Sequence, residues 1–221
     1  MTRHMQTELD HLKEMSFNLC ADVEGSVAKA VQALRGRDSA LAEEVIVSDQ
    51  RINRCEVELE EECLKILALH QPVANDLRFV IAVLKLNNDL ERMGDLAVNI
   101  AERVLFLAKD SPVSIDFDFV AMAQKTQAMV KDAHRALVNR DAALARSVLA
   151  SDDEVDRLNR EVYAQVEAGI KQHPNHIGSM FNLLSVGRHL ERIADHATNI
   201  AEDVIYMVDG EIVRHGVEKI K

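Results

Sequence analysis

Apolar residues recur along this chain at alternating steps of three and four, as they do in helices that bury one face. The clearest run is Phe79, Val83, Leu86, Leu90, Met93, Ala97, Ile100, Val104 and Leu107. A second run, Val186, Leu190, Ile193, Ala197, Ile200, Val204 and Met207, has the same rhythm. Val148, Val155 and Val162 stand a heptad apart, with Leu144 and Leu158 between them. Seams of this kind belong to long helices packed in coiled-coil-like bundles.

Breaks between the periodic segments are few. Gly36 ends a first helix, and Asp38 is placed to cap a second. Pro72, Ser111-Pro112, Asn139-Arg140-Asp141, His173-Pro174-Asn175 and Asp209-Gly210 mark the remaining ends. Six helices are predicted, at roughly 6–36, 38–69, 73–109, 117–138, 141–172 and 176–209.

The chain repeats itself. Leu90-Glu91-Arg92-Met93-Gly94-Asp95-Leu96-Ala97-Val98-Asn99-Ile100-Ala101-Glu102 returns 100 residues later as Leu190 to Glu202, with nine of thirteen positions identical. Earlier segments repeat at an offset of 103: Ala33-Leu34 with Ala136-Leu137, Arg37-Asp38 with Arg140-Asp141, and Ser48-Asp49 with Ser151-Asp152. The change of offset puts a three-residue deletion in an interhelical turn of the second copy, where a bundle tolerates one. The expected fold is all-α: six long helices forming two tandem three-helix bundles related by internal duplication, one over residues 1–112 and one over 113–221.

Composition agrees with that class and narrows function. Hydrophobic residues make up 48% of the 221 and aromatic residues only 4%, with no Trp, so the core must be aliphatic. A net charge of −11 disfavours phosphate and nucleic acid unless a cation intervenes, which argues against DNA or RNA as a partner. Cys20, Cys55 and Cys63 form no CxxC pair or disulfide framework, which fits a reducing compartment. The N-terminus Met1-Thr2-Arg3-His4-Met5 has no apolar signal core, and the longest apolar run, Phe79 to Leu84, is far too short to span a membrane. A cytoplasmic protein is expected.

The candidate chemistry lies in the carboxylates. Glu91, Asp95, Asn99 and Glu102 share one helix shoulder beside the apolar seam, as do Glu191, Asp195, Asn199 and Glu202. The preceding helices carry Asp49 and Asn53, and Asp152 and Asp156, each pair four apart. Antiparallel helices align residues whose numbers share a constant sum. Asp49 with Asp95 and Asn53 with Glu91 both give 144; Asp152 with Asp195 and Asp156 with Glu191 both give 347. Half of each sum falls in the turn, so each hairpin brings its acidic pairs level. Converging carboxylates repel unless basic residues or cations separate them, and oxygen-only ligation suits Mg²⁺, Mn²⁺, Ca²⁺ or iron. A lone acidic step of four is usually a solvated face; the duplication and the matched register favour a cation role for this set. Arg92 and Arg192 point about 100° away from it.

Other polar residues carry less. Glu8-x-x-His11 has the spacing of a ferritin-like metal pair, but only one such pair exists, so a surface helix face is expected. His134 is expected on a helix surface. His189 and His196 are expected in solvent or in helix packing, and Met93 and Met207 read as core filler. No Gly-rich phosphate loop, GxSxG or Cys–His pairing proposes a nucleophile, so no enzyme activity is expected.

Paired Leu-Glu-Arg-x-x-Asp helices, each preceded by an acidic pair on the helix before, resemble the PhoU family of phosphate-uptake regulators. Gln71-Pro72-x-x-x-Asp76-Leu77-Arg78 resembles it too, and the likeness spans nearly the whole chain. The resemblance implies two three-helix bundles related by a pseudo-twofold and negative regulation of phosphate uptake and of the phosphate-starvation response. It implies two partners, the ATPase subunit of a phosphate ABC transporter and a membrane phosphate-sensor histidine kinase, with membrane contact only through them; a homodimer suits such bundles. It also implies multinuclear iron, or another divalent or trivalent metal, held by E/D-x-x-x-D motifs. Those motifs fall on Glu91 with Asp95, Glu191 with Asp195, Asp152 with Asp156, and Asp49 with Asn53, where the uncharged Asn53 departs from the pattern and predicts a weaker first site. Asn99, Glu102, Asn199 and Glu202 are second-tier candidates. A metal-free structural adaptor and a ferritin-like di-metal oxidoreductase are the alternatives.

Overall fold

The structure, a computed structural model, describes residues 3–110 and 117–210. All six expected helices form: α1 (Arg3–Gly36), α2 (Ser39–His70), α3 (Ala74–Lys109), α4 (Phe119–Asn139), α5 (Ala142–Gln172) and α6 (Ile177–Asp209), the last preceded by a 3-10 turn at Pro174–His176. The Ser111-Pro112 linker and the boundary expected at 112/113 lie outside the described residues.

The α1–α2 and α4–α5 turns are copies of each other. Asp38 caps α2 by accepting from the Leu41 N–H, and Asp141 caps α5 by accepting from the Leu144 N–H, each worth about 1 kcal/mol. The first helix ends at Gly36, as the sequence suggested, and the chain turns on the next residue. The left-handed residues are Arg37 (φ 50) and Arg140 (φ 54). Their long side chains offset the unfavourable backbone. The Arg37 guanidinium donates to the Leu107 carbonyl, while that of Arg140 pairs with Asp76 at 3.6 Å and lies 5.6 Å from the Phe79 ring centroid.

The offset between repeats is still 103 at His70 and His173 and has become 100 at Ala74 and Pro174. Gln71, Pro72 and Val73, the link between α2 and α3, are therefore the three residues without a counterpart. The expected deletion falls in the turn.

Within each repeat the three helices pack on one another, and the repeats join through two contacts, α3 on α6 and α1 on α4. α2 and α5 lie outside these inner four. The seam residues of every helix belong to one continuous aliphatic core, with Leu90, Met93, Val186 and Ile193 inaccessible to solvent. α1 and α4 run antiparallel: Ser16 Oγ lies 3.3 Å from His134 Nε2, and Gln127 donates to the Glu24 carbonyl at 2.9 Å. Glu24 and Gln127 occupy the same position of the two repeats, so that contact sits where the two halves mirror each other.

His134 is thus not a surface residue. It is buried between α1 and α4, and burial pushes its imidazole down to about 4. His196 has the helix-packing role, with Nδ1 2.8 Å from Asp89 Oδ1 across α3 and α6. Glu8 is not part of a surface face either: it is buried against His70 and His4, while His11 is exposed. Close approach of α5 to α6 depends on Gly187, where a Cβ would meet Val162 Cγ1 at 3.0 Å. Among the described residues, no helix is long and apolar enough to cross a membrane.

Candidate functional site

The α2–α3 hairpin brings the first acidic set together in the expected register. Asp49 is half-buried beside α3; a Cβ on Gly94 would come within 3.4 Å of its Oδ1. That Oδ1 is buried and accepts no hydrogen bond, while Oδ2 accepts from Asn53 Nδ2 at 3.0 Å. Burial raises the Asp49 pKa, Asn53 opposes the shift, and the Asp95 charge adds to it. Glu91 is raised by burial and by the charges of Asp95, Glu56 and Asp49, with Arg92 opposing.

Glu56 is a member the sequence reading missed. It is half-buried, and its Oε1 accepts from Asn87 Nδ2 at 3.1 Å, while the same amide donates to the Glu56 carbonyl at 2.9 Å. Burial and the Glu60 charge raise its pKa. The signal was available: 56 and 87 sum to 143, one short of the hairpin register.

The α5–α6 hairpin repeats the arrangement. Burial, then the charges of Asp156, Asp195 and Asp153, push Asp152 up to about 6. Its Oδ1 is also buried and unpartnered, as in Asp49. Glu191 is raised by burial and by Asp195, Asp156 and Asp152; Asp195 is raised by burial and by Asp156.

The two hairpins place their carboxylates differently along α2 and α5. Asn53 stands where the second repeat has Asp156, but Glu56 stands where the second has Asn159. A carboxylate and an amide have exchanged places one helical turn apart. The first cluster is Asp49, Glu56, Glu91 and Asp95; the second is Asp152, Asp156, Glu191 and Asp195. Each holds four carboxylates, so the charge available to a cation is equal.

The second-tier positions are placed less closely. Asn199 and Glu202 line a groove of about 510 Å³ between α3 and α6, with Lys85, Asn88, Asp89 and Asp203. Glu102 pairs with Arg103 at 3.1 Å, and Asn99 is half-buried on α3.

A hard cation fits what is present. The donors are all oxygens, burial and neighbouring charges raise the pKa of Asp49, Glu56, Glu91, Asp152, Glu191 and Asp195, and two of the buried carboxylate oxygens have no partner. Among the described residues, no Lys or Arg forms an ion pair with Asp49, Glu91, Asp95, Asp152, Glu191 or Asp195; Asp156 has Arg160 at 3.7 Å. Among the described residues, three ligand-type side chains gather within 4.8 Å at His4, Glu8 and His70 alone.

The PhoU domain family matches residues 18–104 and 119–204, once in each repeat. A phosphate-specific transport system accessory protein PhoU homolog of Aquifex aeolicus is 39% identical over 208 residues, covering 94% of this chain and 94% of its own. The homolog from Pseudomonas aeruginosa is 37% identical over 223 residues, covering 100% of this chain and 92% of its own. The crystal structure of PhoU from Pseudomonas aeruginosa is similar with a TM-score of 0.86 at 37% identity, over 93% of this chain and 99% of that one. That of the phosphate transport system regulatory protein PhoU from Streptococcus pneumoniae gives 0.84 at 32% identity, over 95% and 99%. With both repeats matched, and with likeness to these relatives running the length of the chain, this protein belongs to the PhoU family.

Proposed function

We propose that this protein is an accessory regulator of phosphate transport, and that it restrains uptake and the phosphate-starvation response when phosphate is plentiful. The observation that carries this is the full-length likeness to relatives named as phosphate transport accessory and regulatory proteins, over a helical scaffold with the family's acidic motifs in both halves. The protein works as a cytoplasmic, non-enzymatic adaptor. Its helical faces engage the transporter's ATPase subunit and a phosphate-sensor histidine kinase, and it reaches the membrane only through them.

In the same reading, Asp49, Glu56, Glu91 and Asp95, and Asp152, Asp156, Glu191 and Asp195, each hold hard cations such as iron, with Asn53 as a neutral oxygen donor in the first set. A bound cation supplies positive charge at an otherwise anionic surface, where it can accept a phosphate oxygen. The chain's own residues do the rest: burial beside the seam keeps the carboxylates poised, and the hairpin register holds them level.

Two measurements test the proposal. Deleting the gene should switch on a phosphate-starvation reporter in phosphate-rich medium, and restoring it should silence the reporter; a reporter unchanged by deletion would refute the regulatory reading. Elemental analysis of protein purified without chelator should find metal that Glu191→Ala/Asp195→Ala reduces by about half, because the other cluster remains. Absence of metal from both proteins after reconstitution would leave the adaptor without its cation sites.

A further inference from the structure

The geometry points to a third metal site, unlike the acidic pair in chemistry and present once per chain: His4, Glu8 and His70 form a His₂Glu site for a borderline divalent cation, Zn²⁺ above all. His4 and Glu8 are one helical turn apart on α1 and share a face. His70 is the last residue of α2, where the unsatisfied carbonyls of the helix end favour positive charge. One potential ligand atom from each side chain lies within 4.8 Å of the others.

Ligand atoms of a tetrahedral zinc sphere stand about 3.3 Å apart, so a metal here would take the His4 edge as it stands and replace the direct hydrogen bond between His70 and Glu8. His4 Nε2 is 3.3 Å from Glu8 Oε1, and His70 Nε2 is 2.5 Å from Glu8 Oε2. The two imidazole rings meet edge-on with centroids 5.5 Å apart. Two imidazoles and one carboxylate make a ligand set that zinc accepts, with a fourth position left for water. His4 is 76% exposed on its side chain, which provides that opening, while the Glu8 side chain is 11% exposed and fixed.

Lys65 is the competing cation, with Nζ 3.6 Å from Glu8 Oε1. It also holds both oxygens of Glu62, at 3.0 and 3.1 Å, and can stay there when a metal takes Glu8. Among the described residues the second repeat shows no equivalent site. His173 stands in the place of His70, but α4 begins at Phe119, the counterpart of Ser16, so His4 and Glu8 have no counterparts. They also precede residue 18, where the match to the family begins. A metal there would tie the first turn of α1 to the end of α2.

The test is Zn²⁺ binding to the full-length protein, by competition with a chromophoric chelator in excess Mg²⁺ to occupy the oxygen sites, with Co²⁺ absorption as the spectroscopic partner. Wild-type protein should bind one Zn²⁺ and give the intense visible bands of tetrahedral Co²⁺. His4→Ala and His70→Ala should each weaken that binding by about 100-fold or more and abolish the bands. Lys65→Ala should tighten it, because the competing charge is gone. His4 is exposed enough to be removed without loss of the fold, and circular dichroism of each variant checks this. Equal Zn²⁺ affinity in wild type, His4→Ala and His70→Ala, or no Zn²⁺ binding by folded wild type, overturns the site.

Discussion

Replacing Asp152 by Asn removes a charge while keeping the shape of the side chain. Folding buries Asp152 and sets it among Asp156, Asp195 and Asp153, which raises its pKa from 3.8 to about 6. The folded protein therefore holds this proton more tightly than the unfolded chain. Its contribution to stability is fully present below pH 3.8 and is lost as pH rises through about 6. At neutral pH the charged carboxylate works against folding. The whole difference corresponds to about 3 kcal/mol. The side chain is only half-buried, and solvent screening reduces this to about 1–2 kcal/mol. In chelator at about pH 7.5, Asp152→Asn should then be more stable than wild type by that amount, read by urea denaturation followed by circular dichroism. Near pH 4 the gain should shrink towards zero. Adding the cognate cation should reverse the order, because only wild type offers it the full set of carboxylates. A variant less stable than wild type in chelator at neutral pH, or equally stabilised at both pH values, would show that the carboxylates do not repel as described.

Two further perturbations probe the scaffold. Gly187→Ala should lower stability by about 1–2 kcal/mol despite the better helix propensity of alanine, because its Cβ would lie 3.0 and 3.1 Å from the Val162 methyls and 3.3 Å from Val162 Cβ; a rise in melting temperature would contradict the close approach of α5 and α6. His196→Ala should cost about 1–3 kcal/mol by leaving Asp89 without its 2.8 Å partner. A double-mutant cycle with Asp89→Ala should recover about 1 kcal/mol or more of that as coupling, and strict additivity would remove the bridge from the account.

The fold was legible because it is built from repetition. Seams with helical spacing located every helix, and the thirteen-residue recurrence at Leu90 and Leu190 located the duplication. The constant-sum register brought Asp49 to Asp95 and Asp152 to Asp195 before any coordinates. Glu56 is not legible as part of an acidic step of four, because the first repeat carries its carboxylate three residues beyond Asn53. His134 and Glu8 escaped for a different reason. Each is a polar residue on a mostly apolar helix face, and what makes it buriable is a partner far away in sequence: Ser16 for His134, His70 for Glu8. Local periodicity contains no trace of such partners. The left-handed turn at Arg37 was not legible either, because its anchor, the Leu107 carbonyl, is likewise distant.

The bridge from Asp89 to His196 bears on why the two halves stay together as one molecule. The contact between them is self-complementary in outline, since Glu24 meets its own counterpart Gln127 across it. A surface of that kind could in principle match two identical halves equally well. On α3 and α6, however, the position facing Asp89 has diverged: it is His196 in one half and Leu96 in the other. Two copies of the first half would set Asp89 against Leu96, leaving a half-buried carboxylate with an aliphatic neighbour. Two copies of the second would set His189 against His196. Only the pairing of unlike halves gives the acid a base. Two substitutions in a symmetrical seam, Asp89 against His189 and Leu96 against His196, thus act as a recognition code, favouring the heterologous match and disfavouring both self-matches.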